Sequence, residues 1–168
     1  MTLQDLLIDE LQDLYDAEQQ LIKALPEMVD AANGDALRAA FASHLGETQG
    51  QITRLEEVFV QLGMQPTARR CAGMAGILSE NTARMAQRAA AQDMIRAVSD
   101  AALIAGAQKV EHYEICGYGT CAAWARTLGL DEVAARLEET LEEEKAADQA
   151  LNDLAEQEVN ISAAHEAT

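Results

Sequence analysis

The segment KVEHYEICGYG, residues 109–119, places two glutamates and a histidine inside a long apolar, alanine-rich run. Glu111 and Glu114 are three residues apart, and side chains at that spacing share one face of a helix. His112 points about 100° away from that face, so we assign it to the surface or to the surroundings of the site. Carboxylates in the interior of a helical bundle need a partner of opposite charge. The segment therefore predicts a buried site that other helices must complete.

The composition favours helix along nearly the whole chain. Hydrophobic residues make up 49% of the 168 residues, aromatic residues only 4%, and there are two prolines. Alanine, leucine, glutamate and glutamine fill much of the rest, and all four favour helix. A chain of this length is most simply one domain with a substantial core. We predict an all-α domain over residues 1–158 and a flexible C-terminal tail over residues 159–168.

The charge and the cysteines limit the classes of partner and the expected location. The formal net charge is −17, and a large negative field repels nucleic acids and anionic membranes. No stretch approaches the ~20 apolar residues that span a bilayer, and the acidic N-terminus is unlike a secretory signal. Three cysteines without a CxxC pair are consistent with reduced thiols. We expect a cytoplasmic protein without nucleic-acid or membrane partners.

Hydrophobic residues at alternating steps of three and four predict four long helices. The first begins at a capping signal formed by Thr2 and Asp5 and ends at the turn NGD, residues 33–35, in which Asp35 is a candidate N-cap. The others cover about 36–62, 93–127 and 132–158. Residues 63–92 form a long connection that carries a short helix around 77–88. Two short joints and one long crossover in the middle are the connectivity of a ferritin-like four-helix bundle.

Each helix has polar residues in its hydrophobic seam, and only near its middle. Glu18 interrupts helix one, and His44, Thr48 and Gln51 interrupt helix two. In an antiparallel bundle the helix middles lie at one height. The sequence therefore predicts one polar layer in the core, and its candidate metal ligands are Glu18, His44, Glu47, Glu111, Glu114, Glu144 and Asp148.

Such a layer needs positive charge, because an ionised carboxylate buried alone costs several kcal/mol (a rough figure for desolvation). No lysine or arginine occupies a seam position at that height; Lys109 and Lys145 only flank it. Divalent cations are the simplest neutralising partners, and oxygen ligands with an occasional imidazole suit iron, manganese or zinc. Taken singly, Glu18 also fits a partly exposed edge residue, His44 fits a hydrogen-bonded core histidine, and LEEEKAAD fits a solvated acidic helix. Four interruptions at one height favour the metal site.

The same residues carry a family resemblance. The segments LYDAEQQLIKALPEM, HLGETQGQITRLEEVF, AALIAGAQKVEHYEICGYGT and ETLEEEKAADQAL resemble the YciE/YciF-type ferritin-like stress proteins of bacteria. The likeness covers nearly the whole chain in order, and AQKVEHYEI followed by YGT is its most specific part. The resemblance implies a ferritin-like bundle with a fifth helix, a homodimer, a dinuclear metal site and induction under stress.

The chain departs from the ligand pattern of the wider ferritin-like di-iron proteins. Those use a glutamate on each of two helices and Glu-x-x-His on the other two. Here helix two has His44-x-x-Glu47, the reverse order, and helix four has Glu144 and Asp148 without a histidine. Gly46 and Gln49 stand where related members can carry glutamate and histidine.

Three functional hypotheses follow. In the first, the protein binds iron, or manganese or zinc, and sequesters or oxidises it. The ligands would be Glu18, Glu114, Glu47, Glu144 and His44, completed or oriented by Glu111 and Asp148. The site would be lined by Gln51 and Thr48, and Tyr118 would donate a hydrogen bond. In the second, the layer is a relic, and a non-catalytic dimer acts through protein contacts. The third is a thiol peroxidase at Cys116 or Cys121; both fit small core residues better, since neither lies at a helix N-terminus beside a cation.

Overall fold

The computed structural model of the protein describes residues 1–89 and 96–165, and within these ranges it contains helices and no strand. The helix bounds agree closely with the hydrophobic spacing. The predicted start of the third long helix at Asp93 lies outside the described residues, as do residues 166–168 of the predicted tail. The helices are α1 (Leu3–Ala31), α2 (Asp35–Gln61), α3 (Ala72–Ala89), α4 (Arg96–Thr127), α5 (Asp131–Leu154) and α6 (Asn160–His165), with a π-helical turn at Ala155–Val159 between the last two.

The four long helices form the predicted ferritin-like bundle. Helix α1 packs on α2 and α4, and α5 packs on the same two helices from the other side. Glu18 meets Tyr118 and Asn33 meets Asp100, so α1 and α4 run antiparallel. The joints between α1 and α2 and between α4 and α5 are three residues each, residues 32–34 and 128–130. The long crossover therefore lies between α2 and α4, as the sequence predicts.

The ends of the helices follow local sequence signals, with one correction. Thr2 and Asp5 form the predicted capping box at the start of α1. At the start of α2, however, the N-cap is Gly34 and not Asp35, and it makes no side-chain cap. Asp100 of α4 binds the residues just before the helix, because its carboxylate accepts hydrogen bonds from the backbone N–H of Asn33 at 2.9 Å and of Gly34 at 2.8 Å. These hydrogen bonds attach the connection between α1 and α2 to α4.

Helix α3 covers one side of the bundle, against α4 and α1. It is longer than the predicted helix around 77–88. Its first turn is held by Cys71, whose backbone N–H donates to Asp16 at 2.8 Å and whose Sγ lies 3.0 Å from the Tyr113 hydroxyl. The Tyr113 hydroxyl donates to Asp13 at 2.7 Å. The crossover is thus fastened to both neighbouring helices near the middle of the bundle.

The apolar core consists of two clusters at opposite ends of the bundle. One contains Leu21, Leu25, Phe41 and Ile104 among others. The other contains Leu7, Leu11, Phe59 and Leu137 among others. The polar residues of the seams lie between the two clusters, so the core is divided at its middle. None of the described helices has a segment both long enough and apolar enough to span a bilayer.

The C-terminal part of the chain remains helical beyond the predicted end of helix four. After the π-helical turn, α6 continues to His165, although the sequence suggests a frayed end from Asn160. Val159 is buried in the apolar cluster that contains Leu21, and this contact explains the continuation. The division into a domain over 1–158 and a flexible tail over 159–168 stays a prediction.

Glycines on α2 and α4 provide a stability test of this packing. Gly46 and Gly50 have open space where a Cβ would be, so replacing each by alanine should stabilise the helix by about 0.5–1 kcal/mol. At Gly117 a Cβ would lie 2.7 Å from Cδ2 of the buried Leu14, so Gly117→Ala should destabilise the protein by about 1–3 kcal/mol. Urea unfolding of the three variants measures both effects, and a stabilising Gly117→Ala would contradict the close contact of α1 with α4.

Candidate metal centre

All four long helices contribute polar side chains to the layer that divides the core. Glu18, His44, Glu111, Glu114 and Glu144 are each at most 5% exposed. His44 Nε2 lies 3.5 Å from Glu111 Oε1 and 3.9 Å from Glu144 Oε2. One ligand atom from each of four residues lies within 4.8 Å of all the others, and these residues are His44, Glu111, Glu114 and Glu144.

Two neutral side chains orient carboxylates within the layer. The Tyr118 hydroxyl donates to Glu18 Oε1, and the Gln51 amide donates to Glu144 Oε1. Both donors are fully buried. Tyr118 therefore donates its hydrogen bond to Glu18 of α1, and not to Glu114, which lies one helical turn before it on α4. Each of these carboxylates keeps its second oxygen free of hydrogen bonds.

Several potential metal-ligand atoms of the layer have no hydrogen-bond partner in the protein. Both oxygens of Glu114 are buried without one. Buried polar atoms in folded proteins are nearly always hydrogen-bonded to protein or water, so these atoms are available to a bound ion or to water. The atoms concerned are Glu18 Oε2, His44 Nε2, Glu111 Oε2, Glu114 Oε1, Glu114 Oε2 and Glu144 Oε2.

The electrostatics of the layer disfavour four ionised carboxylates. Burial raises the pKa of Glu18 well above its usual range, and the charge of Glu144 raises it further. Burial likewise raises the pKa of Glu114, with Glu18 adding to the effect. The pKa of Glu111 is raised by burial and by the neighbouring carboxyl group of Glu144. Burial also raises the pKa of Glu144, against the opposing effects of the neighbouring Glu111 carboxyl group and of His44. The positive charge near the layer is therefore too small to keep all four carboxylates ionised.

A divalent cation fits this donor set. Carboxylate oxygens with one imidazole nitrogen suit iron, manganese and zinc. The free oxygens come from α1, α4 and α5, and the free nitrogen comes from α2, so all four long helices bring potential ligand atoms to the layer. The residues that can hold one ion together are His44, Glu111, Glu114 and Glu144, and Glu18 lies beside them in the same buried layer.

The structure places the other two predicted ligands at the edges of this group. The Glu47 side chain is 44% exposed, and its Oε2 lies 3.4 Å from His44 Nδ1. Its hydrogen bond with His44 lowers the pKa of Glu47. Asp148 accepts a hydrogen bond from Gln108 at 3.2 Å and lies 3.5 Å from Nε2 of the exposed His112. Neither carboxylate belongs to the four-residue group, and whether either binds metal stays a prediction.

Two further polar residues differ from the expected arrangement. Thr48 is fully buried, but its hydroxyl donates to the backbone carbonyl of His44 at 2.9 Å; it is therefore satisfied within its own helix. Arg54 was not among the candidate residues, although its guanidinium donates to Glu143 at 2.9 Å and to Thr140. Its spacing of three residues from Gln51 is the sequence signal that could have located it. Arg54 thus connects α2 to α5 on one side of the layer.

The cysteines give no support to thiol chemistry. Cys121 is buried, and burial raises the pKa of its thiol, which disfavours the reactive thiolate. Cys116 is exposed, so the interpretation of Cys116 as a core residue is wrong. It lies on the outer face of α4, two residues from Glu114 in sequence and on a different side of the helix.

Comparisons with known proteins agree with the fold. The family described as a domain of unknown function (DUF892) matches residues 2–164. Protein YciF of Escherichia coli strain K12 is 43% identical over 167 residues, which are 99% of this chain and 98% of that protein. The crystal structure of the E. coli stress protein YciF matches with a TM-score of 0.87 over 95% of this chain and 98% of that chain.

Two other solved structures have the same fold. YcfI, a proposed structural protein from Rhodopseudomonas palustris, is 44% identical and matches with a TM-score of 0.86 over 90% of this chain and 94% of that chain. A protein from Xanthomonas campestris pv. campestris is 20% identical and matches with a TM-score of 0.74 over 99% of this chain and all of that chain. At that identity the likeness concerns the fold alone.

The raised pKa values predict how the metal-free protein responds to pH. Unfolded glutamates titrate near pH ~4.3, and Glu18, Glu111 and Glu114 titrate higher in the folded state. The folded state then holds more protons than the unfolded state, so stability falls as pH rises. We expect the free energy of unfolding of chelator-treated protein to decrease from pH 5 to pH 8, by up to about 1.4 kcal/mol per pH unit for each proton involved.

Urea unfolding at several pH values in the presence of a chelator measures this dependence. The variant Glu114→Gln is the control, because it removes an ionisable group whose two oxygens both lack a hydrogen-bond partner. The free energy of unfolding of this variant should depend less on pH. A wild-type protein whose stability rises over the same pH range would contradict the assignment.

Proposed function

The chain belongs to the DUF892 family, to which YciF-like stress proteins belong, and on that premise we propose that it is a stress-response protein that holds divalent metal in the core of its bundle. Iron is the first candidate, with manganese and zinc as alternatives. The proposed activity is sequestration or oxidation of iron. The observation that carries the proposal is the set of buried, unpartnered donor atoms on His44, Glu111, Glu114 and Glu144.

Charge balance supports two ions rather than one. Four fully or almost fully buried carboxylates, from Glu18, Glu111, Glu114 and Glu144, carry four negative charges when ionised. Two divalent cations neutralise this charge, whereas one leaves two charges buried without a partner, which is costly. His44 is the nitrogen ligand in this proposal. Glu18 extends the four-residue group toward α1, and Tyr118 holds the Glu18 carboxylate in a fixed orientation.

The protein supplies binding, orientation and exclusion of water in this proposal. Bound ferrous iron would supply electrons for the reduction of dioxygen or peroxide. The two apolar clusters on either side of the layer limit the access of water from the two ends of the bundle. Gln51 holds Glu144 against rotation, so the ligands do not need to reorganise when an ion arrives. A preoriented, dry donor set favours tight binding.

A relic polar layer is the alternative, and the two hydrogen bonds from Tyr118 and Gln51 favour it. Both stabilise their carboxylates without metal. In that case the protein acts through its surface, as a non-catalytic dimer or a partner-binding protein. The predicted homodimer and cytoplasmic location remain proposals. The amphipathic face of α3 does not require a second copy, because Ile77, Leu78 and Met85 pack against the chain's own core.

Metal binding should stabilise the folded protein, because only the folded state assembles the ligands. At a free metal concentration of 100 times Kd, the gain in unfolding free energy is about 2.7 kcal/mol. We expect this gain for untagged protein with Fe(II) in the absence of oxygen, or with Mn(II) or Zn(II), and we expect metal analysis of that protein to find up to two ions per chain. A metal-free preparation that none of these ions stabilises would remove the proposal.

The double variant Glu114→Gln, Glu144→Gln separates the two functions. Under the metal hypothesis it loses bound metal and the metal-dependent stabilisation, since two of four ligands lose their charge. Under the relic hypothesis it becomes more stable than wild type without any change in bound metal. The matched control is Glu132→Gln, Glu142→Gln, which makes the same charge change at exposed positions of α5. It should keep wild-type metal binding.

A further inference from the structure

A cleft between α2 and α5 leads from the surface to the polar layer. Its volume is about 270 Å³, and its walls are formed largely by small residues, including Ala40, Ala147 and Ala150. His44 and Glu111 form its inner end, and Glu47 also lines it. His44 Nε2 and Glu111 Oε2 are among the buried atoms without a hydrogen-bond partner. The cleft thus reaches the free donor atoms of the candidate centre.

The potential ligand groups from the mouth of the cleft into the polar layer form a series of decreasing exposure. The exposed fraction of the side chain falls from 44% for Glu47 to 6% for His44, 3% for Glu111 and 0% for Glu144. Successive donor atoms are close together: 3.4 Å separates Glu47 Oε2 from His44 Nδ1, and 3.5 Å separates His44 Nε2 from Glu111 Oε1. A cation leaving water can exchange one ligand for the next along such a series.

Two other approaches to the layer are covered in the part of the chain that the structure describes. Farther along the interface between α2 and α5, the Arg54 guanidinium donates hydrogen bonds to Glu143 and Thr140. Its positive charge would repel a cation there. On the opposite side, α3 packs over α1 and α4, where the Tyr113 hydroxyl is bonded to Asp13. No lysine or arginine lines the α2–α5 cleft.

From these observations we propose that the α2–α5 cleft is the route by which divalent cations reach the core, with Glu47 as the ligand that captures them at its mouth. Glu47 is then a transfer ligand that the ion leaves behind, which explains why it lies outside the four-residue group. The small side chains keep the passage open and offer no competing ligands. The protein's net charge of −17 raises the concentration of cations at the mouth. This inference rests on the proposed metal binding.

The test measures the rate of metal uptake separately from its equilibrium. Cobalt(II) is the probe, since it does not oxidise readily and its visible absorption changes when it gains protein ligands. Stopped-flow mixing gives the uptake rate, transfer to excess chelator gives the release rate, and titration gives affinity and stoichiometry. The variants are Glu47→Gln, which removes the capture charge, and Ala147→Leu and Ala150→Leu, which narrow the cleft. The controls on α5 are Glu142→Gln and Ala135→Leu, at exposed positions outside the cleft.

If a residue lies on the route but outside the final site, its substitution changes the rates of metal uptake and release by the same factor. The binding affinity therefore stays the same. We therefore expect Glu47→Gln and at least one of the two leucine variants to slow uptake and release about tenfold, with stoichiometry and affinity within about twofold of wild type and with unchanged controls. Wild-type rates in Glu47→Gln, or in both leucine variants, would overturn the route.

A different failure would show that Glu47 belongs to the final site, as a resident ligand or through its contact with His44. In that case Glu47→Gln would lose affinity tenfold or more, with faster release rather than slower, and the transfer role would be wrong while metal binding stands. If wild-type protein takes up no cobalt(II) at equilibrium, the proposed function fails, and this inference fails with it. Far-ultraviolet circular dichroism of each variant confirms that it is folded before its rates are compared.

Discussion

The desolvation of four carboxylates in the middle of the core is the constraint on which the rest of the structure depends. Moving an ionised carboxylate out of water costs several kcal/mol, a rough figure even after relaxation, and neighbouring like charges add to that cost. The layer contains Glu18, Glu111, Glu114 and Glu144, and no lysine or arginine belongs to it. Among the described residues, Tyr118 and Gln51 donate hydrogen bonds to these groups, and the His44 imidazole lies beside them with no hydrogen bond from its Nε2. The protein must therefore protonate the layer or neutralise it with cations.

The rest of the bundle is arranged so that it can tolerate this layer. Apolar clusters on both sides hold the helices together independently of it. Asp100 fastens the α1–α2 turn to α4, and Cys71 and Tyr113 fasten the crossover. At Gly117, α4 lies so close to Leu14 that a methyl group would not fit. These contacts fix the backbone on either side of the layer, so its carboxylates stay together despite their mutual repulsion. A rigid frame of this kind is what a preorganised metal site needs.

The fold and the position of the layer were predictable from the sequence because both depend on spacing. Leu7, Leu11, Leu14, Glu18 and Leu21 repeat at steps of four and three, and an α-helix places all of them on one face. The height of Glu18 and His44 follows from counting along each helix. Features that depend on side-chain direction across helices were not predictable. Asp100 accepts a hydrogen bond from the backbone N–H of Gly34, more than sixty positions away, and no local pattern signals that contact. Arg54 lies three residues after Gln51, but its contact with Glu143 on another helix does not follow from that spacing alone.

The central claim is that cations neutralise the layer, and anomalous diffraction tests it most directly. Crystals grown with excess Mn(II), or with Fe(II) in the absence of oxygen, would be measured on both sides of the metal absorption edge. The account predicts anomalous density for one or two ions in contact with His44, Glu111, Glu114 and Glu144. The account would be contradicted by an absence of density in the layer, with these side chains hydrogen-bonded among themselves or turned to solvent.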